Sequence, residues 1–174
     1  MTNYFDEALK FVLQAEGGFS NTAGDLGGAT NLGVTQAVYN TYRASHGLPA
    51  QSVALILNNE VSDIYHNEYW IAAKCDQITN KVSVIHFNTA VNTGCHEASL
   101  LLQRSAGVAV DGIIGSKTLN AVNNNDPNVL SGKYIQELSN FYTTLAENHP
   151  NDEGFLTGWL NRTAKLNQLV AGLA

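Results

Sequence analysis

Positive charge is scarce in this sequence. Nine Lys and Arg stand against fifteen Asp and Glu, a formal net charge of -6 over 174 residues. No Lys/Arg cluster appears, which excludes the electrostatic footprint of a nucleic-acid binder and a basic helix lying on a membrane. Long apolar runs are also missing. None approaches the roughly 18 residues of a membrane span, so no stable membrane insertion is expected. There are two cysteines, Cys75 and Cys95, too few for a disulfide scaffold. They are expected as reduced, buried thiols, with a single bridge open to them in an oxidising compartment. The first residues, Met1-Thr2-Asn3-Tyr4-Phe5-Asp6-Glu7, carry acids where a signal peptide has a basic region. The expectation is a chain made in the cytoplasm without a signal peptide, needing separate release to act outside it.

Several kinds of site fail on spacing. Cys75, His86, Cys95 and His96 include no C-x2-C or H-x3-H pair for zinc. Asp111-Gly112 lacks the acidic repeat of a calcium loop. Ser20 and Ser99 sit in no nucleophile elbow. No metal and no cofactor are expected. No internal repeat, low-complexity tract or long linker divides the chain.

What is present is helical periodicity. The apolar fraction of 44% and charged fraction of 14% fit an ordinary globule of one domain with a real core. Phe5, Ala8, Leu9, Val12 and Leu13 mark one face of a first helix that should stop at Gly17-Gly18. Residues 21–34 are glycine-rich and read as a loop or a short β-hairpin. Thr35 is placed to cap a helix carrying Val38, Tyr39 and Tyr42. Ser52 is read as opening a short helix through Leu57, and Val61, Ile64, Tyr65 and Tyr69 continue the helical spacing. From Val82 to Val91 apolar residues surround the axis, the pattern of a central buried helix. A helix near Glu97–Arg104 halts at Gly107, and Ser116 is read as the cap of the next. Two long helices, near 128–148 and 155–171, complete a mainly α fold.

Chemistry concentrates near the start. Glu16 follows an apolar helix and precedes two glycines; Asp25 and Thr30 follow within a glycine-rich stretch. Singly, each has a bland reading: a solvated glutamate, a turn aspartate, a capping threonine. A carboxylate at a helix C-terminus meets the negative end of the macrodipole, which with partial burial favours the protonated form. That form is what a general acid needs. If the glycine-rich stretch folds back on the helix end, Glu16, Asp25 and Thr30 line one cleft. One carboxyl then donates a proton while a carboxylate and hydroxyl hold water, as in an inverting glycosidase.

The pattern Glu16-Gly17-Gly18-Phe19-x-Asn21, then Asp25-x-Gly27-Gly28-Ala29-Thr30-Asn31-x-Gly33-Val34-Thr35, closely resembles the glycoside hydrolase family 108 muramidases. That family includes phage endolysins and secretion-associated lysozyme-like proteins. The spacing is also similar to the Glu–Asp–Thr triad of phage-type lysozymes, one residue shorter in the second gap. Further likenesses are Tyr69-Trp70 with Cys75-Asp76, and His86 to Gly94, which resembles a family segment reading D-x-A-V-N-x-G. Asn88 stands here where an aspartate is common. Leu102-Gln103-Arg104 and Asp111-Gly112-Ile113-Ile114-Gly115-x-x-Thr118 resemble the family's peptidoglycan-binding portion, and Phe155-Leu156-x-Gly158-Trp159-x-Asn161-Arg162 its terminal helix.

The resemblance covers nearly the whole chain. It implies a lysozyme-like domain with a catalytic portion over 1–92 and a peptidoglycan-binding-like portion over 93–174, acting as a monomer on glycan strands. The implied catalytic residues are Glu16, Asp25 and Thr30. Asn31, Tyr69, Trp70, Asn88 and Asn92 are candidate substrate-binding residues, and Tyr39 is a further aromatic for which core packing is the simpler reading. Tyr69 and Trp70 divide evenly between core and sugar stacking. Asn88 and Asn92, four apart on a nearly apolar helix, divide between a buried structural bond and acetamido recognition. The implied activity is cleavage of the β-1,4 bond between N-acetylmuramic acid and N-acetylglucosamine, after holin- or secretion-dependent release to the cell wall. A non-catalytic wall-binding or secretion-accessory protein, and a lytic transglycosylase, are the alternatives.

Overall fold

The computed structural model describes residues 3–15, 18–20, 28–149 and 153–174. Among these the chain is mainly α, with eight α-helices and one two-stranded sheet. Two compact units are distinguished: Leu9–Glu68, and Met1–Ala8 together with Tyr69–Ala174. Helix α1 (Tyr4–Ala15) begins in the second and continues into the first.

The smaller unit is organised by a hairpin. Strands β1 (Thr30–Asn31) and β2 (Val34–Thr35) pair antiparallel, Thr30 with Thr35 and Asn31 with Val34. The two-residue loop has positive φ at both positions, 51° at Leu32 and 77° at Gly33. A right-twisted hairpin favours that geometry, which glycine takes at no cost and leucine does not. The Tyr65 hydroxyl holds the strained residue by donating to the Leu32 carbonyl at 3.2 Å. The glycine-rich region thus contains the hairpin alternative of the sequence reading.

Helix α2 (Gln36–Ser45) starts where expected, the Thr35 hydroxyl accepting from the Val38 amide at 3.3 Å. Ser52 does cap, but what it caps is a 3-10 turn, Val53–Leu55, rather than a helix reaching Leu57. Helix α3 (Asn58–Tyr65) then passes into a π-helical segment, His66–Ile71. Burial of Glu60 explains the junction before α3. Its carboxylate accepts from the Leu57 amide at 3.0 Å and from the Tyr39 hydroxyl at 2.6 Å, and pairs with Arg43 at 2.8 Å. Arg43 also donates to the Pro49 carbonyl, and Gln51 to the Tyr39 hydroxyl. Desolvation alone would raise the Glu60 carboxyl; its hydrogen bonds and the Arg43 charge outweigh that and hold it below its ordinary value.

The larger unit is built round α4 (Val82–Thr93), buried on every side from Val82 to Ala90. Helices α5 (Cys95–Ala106), α7 (Pro127–Asn148) and α8 (Glu153–Ala171) pack on it, and α6 (Ser116–Asn124) packs on α5 and α7. Ser116 is the first residue of α6 and not its cap; extended Gly115 holds that position. Asp126 caps α7, accepting from the Asn128 amide at 2.8 Å. Within α4, His86 is fully buried between the Ala73 carbonyl and the Tyr134 hydroxyl, 2.9 Å from each. Cys75 and Cys95 are not joined in a disulfide; Cys75 is buried as expected, but Cys95 is only half-buried, and burial pushes the Cys75 thiol well above its ordinary value.

Candidate functional site

Glu16 and Asp25 lie outside the described residues. Their neighbours are described. Glu16 is the residue after α1, and Ser20 forms a bridge with Thr30: each amide donates to the other's carbonyl, at 2.8 and 2.9 Å. Thr30 is therefore held on both edges, by Ser20 on one side and Thr35 on the other. Its hydroxyl donates to the Gly28 carbonyl at 3.4 Å, a long bond. Gly28 takes φ 68°, a conformation that favours glycine.

Asn31 proves to be a clamp. Its amide nitrogen donates to the Val53 and Ala54 carbonyls at 3.2 and 3.4 Å, fastening the hairpin to the 3-10 turn. Gln36 completes the fastening, accepting from the Val53 amide and donating to the Gln51 carbonyl. The hairpin carrying Thr30 thus rests on bonds that need no ligand.

Tyr69, Trp70, Asn88 and Asn92 stand in the larger unit. Trp70 is 7% exposed and meets Phe5 and Phe87 edge-to-face, with centroids 5.4 and 5.6 Å away. A ring so enclosed offers no face to a pyranose, and packing replaces the stacking expectation for Trp70. Tyr69 is half-buried beside it. Tyr39 is fully buried on the Glu60 network, as the simpler reading had it.

Asn88 and Asn92 do come together. The Asn92 amide nitrogen donates to the Asn88 carbonyl at 2.6 Å and to its side-chain oxygen at 3.3 Å. From α8, Arg162 Nε donates to the same Asn88 oxygen at 3.0 Å. Asn88 is buried and spent on structure; Asn92 is exposed.

Gln103 was seen only as part of a short motif, yet it organises the Asp111-Gly112 turn. Its side-chain oxygen accepts from the Asp111 and Gly112 amides at 3.0 and 2.8 Å. Its nitrogen donates to Asp111 Oδ1 at 2.7 Å and to the Ile113 carbonyl at 3.1 Å. The Ile113 amide and the Gln103 amide lower the Asp111 carboxyl from its ordinary value. The loop borders a hollow of about 490 Å³ lined in part by Val108, Ile113, Lys117 and Thr118. No helix among the described residues is long and apolar enough to cross a membrane. No three His, Cys, Asp or Glu side chains among them are grouped to hold a metal ion.

Comparison with known proteins gives two adjoining family matches. Residues 9–94 match the family described as Glycosyl hydrolase 108, and residues 97–164 match a Predicted Peptidoglycan domain. A solved structure of Brucella abortus SagA is similar over 97% of this chain and 94% of that one, with 27% identity and a TM-score of 0.76. No curated protein matches.

Proposed function

Because this chain belongs to the glycosyl hydrolase 108 family and carries a peptidoglycan domain behind the hydrolase segment, we propose that it is an N-acetylmuramidase. It cleaves the β-1,4 bond between N-acetylmuramic acid and N-acetylglucosamine in bacterial walls. Glu16 gives its proton to the glycosidic oxygen as the bond breaks. Asp25, helped by the Thr30 hydroxyl, orients the attacking water and offsets the charge of the oxocarbenium-like transition state, which gives inversion at the anomeric carbon.

The observation that carries this reading is the pairing of sequence and scaffold. The Glu16-Gly17-Gly18-Phe19 segment, which resembles the family's glutamate motif, begins at the residue following α1, and the bridge from Ser20 to Thr30 ties that end of the chain to the hairpin. The function is that of a monomeric, endolysin-type enzyme, made in the cytoplasm and released to the wall through a holin or a secretion machine.

The test is wall hydrolysis by the purified full chain and by Glu16→Gln. The variant should fold normally and lose nearly all activity; substantial residual hydrolysis overturns the assignment of the acid. Proton NMR of the first product should show the α anomer. Anhydro-muramic ends, one water lighter by mass spectrometry, convert the reading to a transglycosylase. An inert wild-type chain that still binds walls converts it to an accessory protein.

A further inference from the structure

One concavity of the larger unit is unlike the rest in its chemistry. It measures about 190 Å³ and is lined by Asn92, Thr93, Phe141, Tyr142, Leu145 and Trp159. Three rings form a near-parallel column beside it. Tyr142 and Trp159 stack across α7 and α8 with centroids 5.2 Å apart and planes 22° from parallel. Phe155, one turn earlier on α8, stacks on Trp159 at 6.0 Å and 30°, and is itself 61% exposed. Core aromatic pairs elsewhere in the unit, Phe5 with Trp70 and Phe87, meet edge-to-face instead.

The polar side of the hollow is made of acceptors. Asn92 spends its amide nitrogen on Asn88, which fixes the side chain; among the described residues no bond is made to its oxygen. Thr93 donates its hydroxyl hydrogen to the Thr89 carbonyl at 2.9 Å, keeping lone pairs on the oxygen. None of the six lining side chains carries a formal charge at neutral pH. Close by, Arg162 donates to Asn88 at 3.0 Å and its charge acts on Tyr142; a peptide ammonium group finds no counter-charge in the lining. A neutral ligand with an apolar face, hydroxyl or amide donors and a methyl group suits every wall. The volume lies below the roughly 300–1,000 Å³ of a drug-sized pocket, so one sugar ring fits and a disaccharide does not.

We infer that this hollow is a subsite for a single N-acetylhexosamine ring of a glycan strand. The ring's apolar face meets the apolar side chains of Phe141 and Trp159 in the lining of the hollow. Its acetamido N–H is accepted by the Asn92 oxygen, and the acetyl methyl group lies toward Leu145. The inference rests on the peptidoglycan reading above and adds to it a place for one sugar residue.

The test uses the full chain with Glu16→Gln, which prevents turnover, and N-acetylglucosamine tetramer as the probe. The two indole N–H resonances are told apart by their loss in Trp159→Phe. On titration the Trp159 resonance should shift while that of buried Trp70 stays. Trp159→Ala should weaken Kd about tenfold, one aromatic contact's worth, and Asn92→Ala should weaken it in the same direction. An unmoved Trp159 resonance at the highest probe concentration, or a shift of Trp70 alone, overturns the subsite, and neither readout needs the alanine variants to fold. Wall hydrolysis by the wild-type chain is scored separately. If it proceeds while the Trp159 resonance is static, only the subsite falls; if Glu16→Gln still hydrolyses walls, the catalytic assignment falls.

Discussion

Arg162 and Asn88, seventy-four positions apart, share a hydrogen bond of 3.0 Å that joins α8 to the buried centre of α4. They belong to separate sequence elements, Asn88 to the nearly apolar helix and Arg162 to the terminal one. The structure makes them partners, with the Asn88 amide oxygen as the acceptor.

The first prediction follows from that pair. Asn88→Leu leaves Arg162 Nε without its acceptor, while the Asn92 amide keeps the Asn88 backbone carbonyl, and should cost roughly 2–3 kcal/mol in a urea melt. Asn88→Asp should keep the fold and make stability newly acid-sensitive. A carboxylate paired with arginine titrates below its unfolded value, so its contribution is full above that value and is lost as pH falls through the folded one.

A second concerns Glu60. Its carboxylate is buried against Arg43, Tyr39 and the Leu57 amide. Removing one partner of such a pair strands the other, so Glu60→Ala should destabilise by roughly 3–5 kcal/mol. Because the folded carboxyl sits below its ordinary value, stability from this group is complete above the unfolded value of about 4.5 and declines below it. Melts of wild type and Glu60→Gln across that range should converge on the acid side.

Third, His86 is buried so completely that its imidazole is lowered to about 4. The unfolded chain takes up that proton near 6.5. Stability is therefore full above 6.5 and falls as pH drops toward about 4, by about 3 kcal/mol in all. The Ala73 carbonyl fixes the hydrogen on Nε2, and the single Tyr134 hydrogen serves two acceptors, Nδ1 and the Ala98 carbonyl. The His86 ring protons should stay unshifted in NMR spectra well below the usual histidine range; a midpoint near 6.5 would show a hydrated ring.

Fourth, Gly112 has φ 74°, and a Cβ there would run into the His96 ring. Gly112→Ala should cost roughly 1–2 kcal/mol from backbone strain alone and more from the clash. His96→Ala should recover only the steric share, and a double-mutant cycle by thermal melting separates the two.

The sequence was legible where one principle dominates. The apolar circumference of α4, the Thr35 cap and the long pair α7 and α8 needed only periodicity and capping. The hairpin was one of two alternatives, because Leu32 at positive φ is not a turn signal. No sequence pattern singles out Glu60 and Arg43; only tertiary packing shows that they satisfy each other. Trp70 could not be told from a sugar platform until Phe5 and Phe87 were found on it. The column of Phe155, Trp159 and Tyr142 depends on how α7 meets α8, which no local pattern encodes. The motif of Glu16, Asp25 and Thr30 was legible through family resemblance, and of the three only Thr30 falls among the described residues.

Helix α4 has no side turned to water from Val82 to Ala90. Most helices tolerate replacement with a rhythm, permissive at outward positions and strict at inward ones. Saturation mutagenesis along this stretch should find no such rhythm: intolerance should run unbroken through nine consecutive codons, serine, histidine and asparagine included.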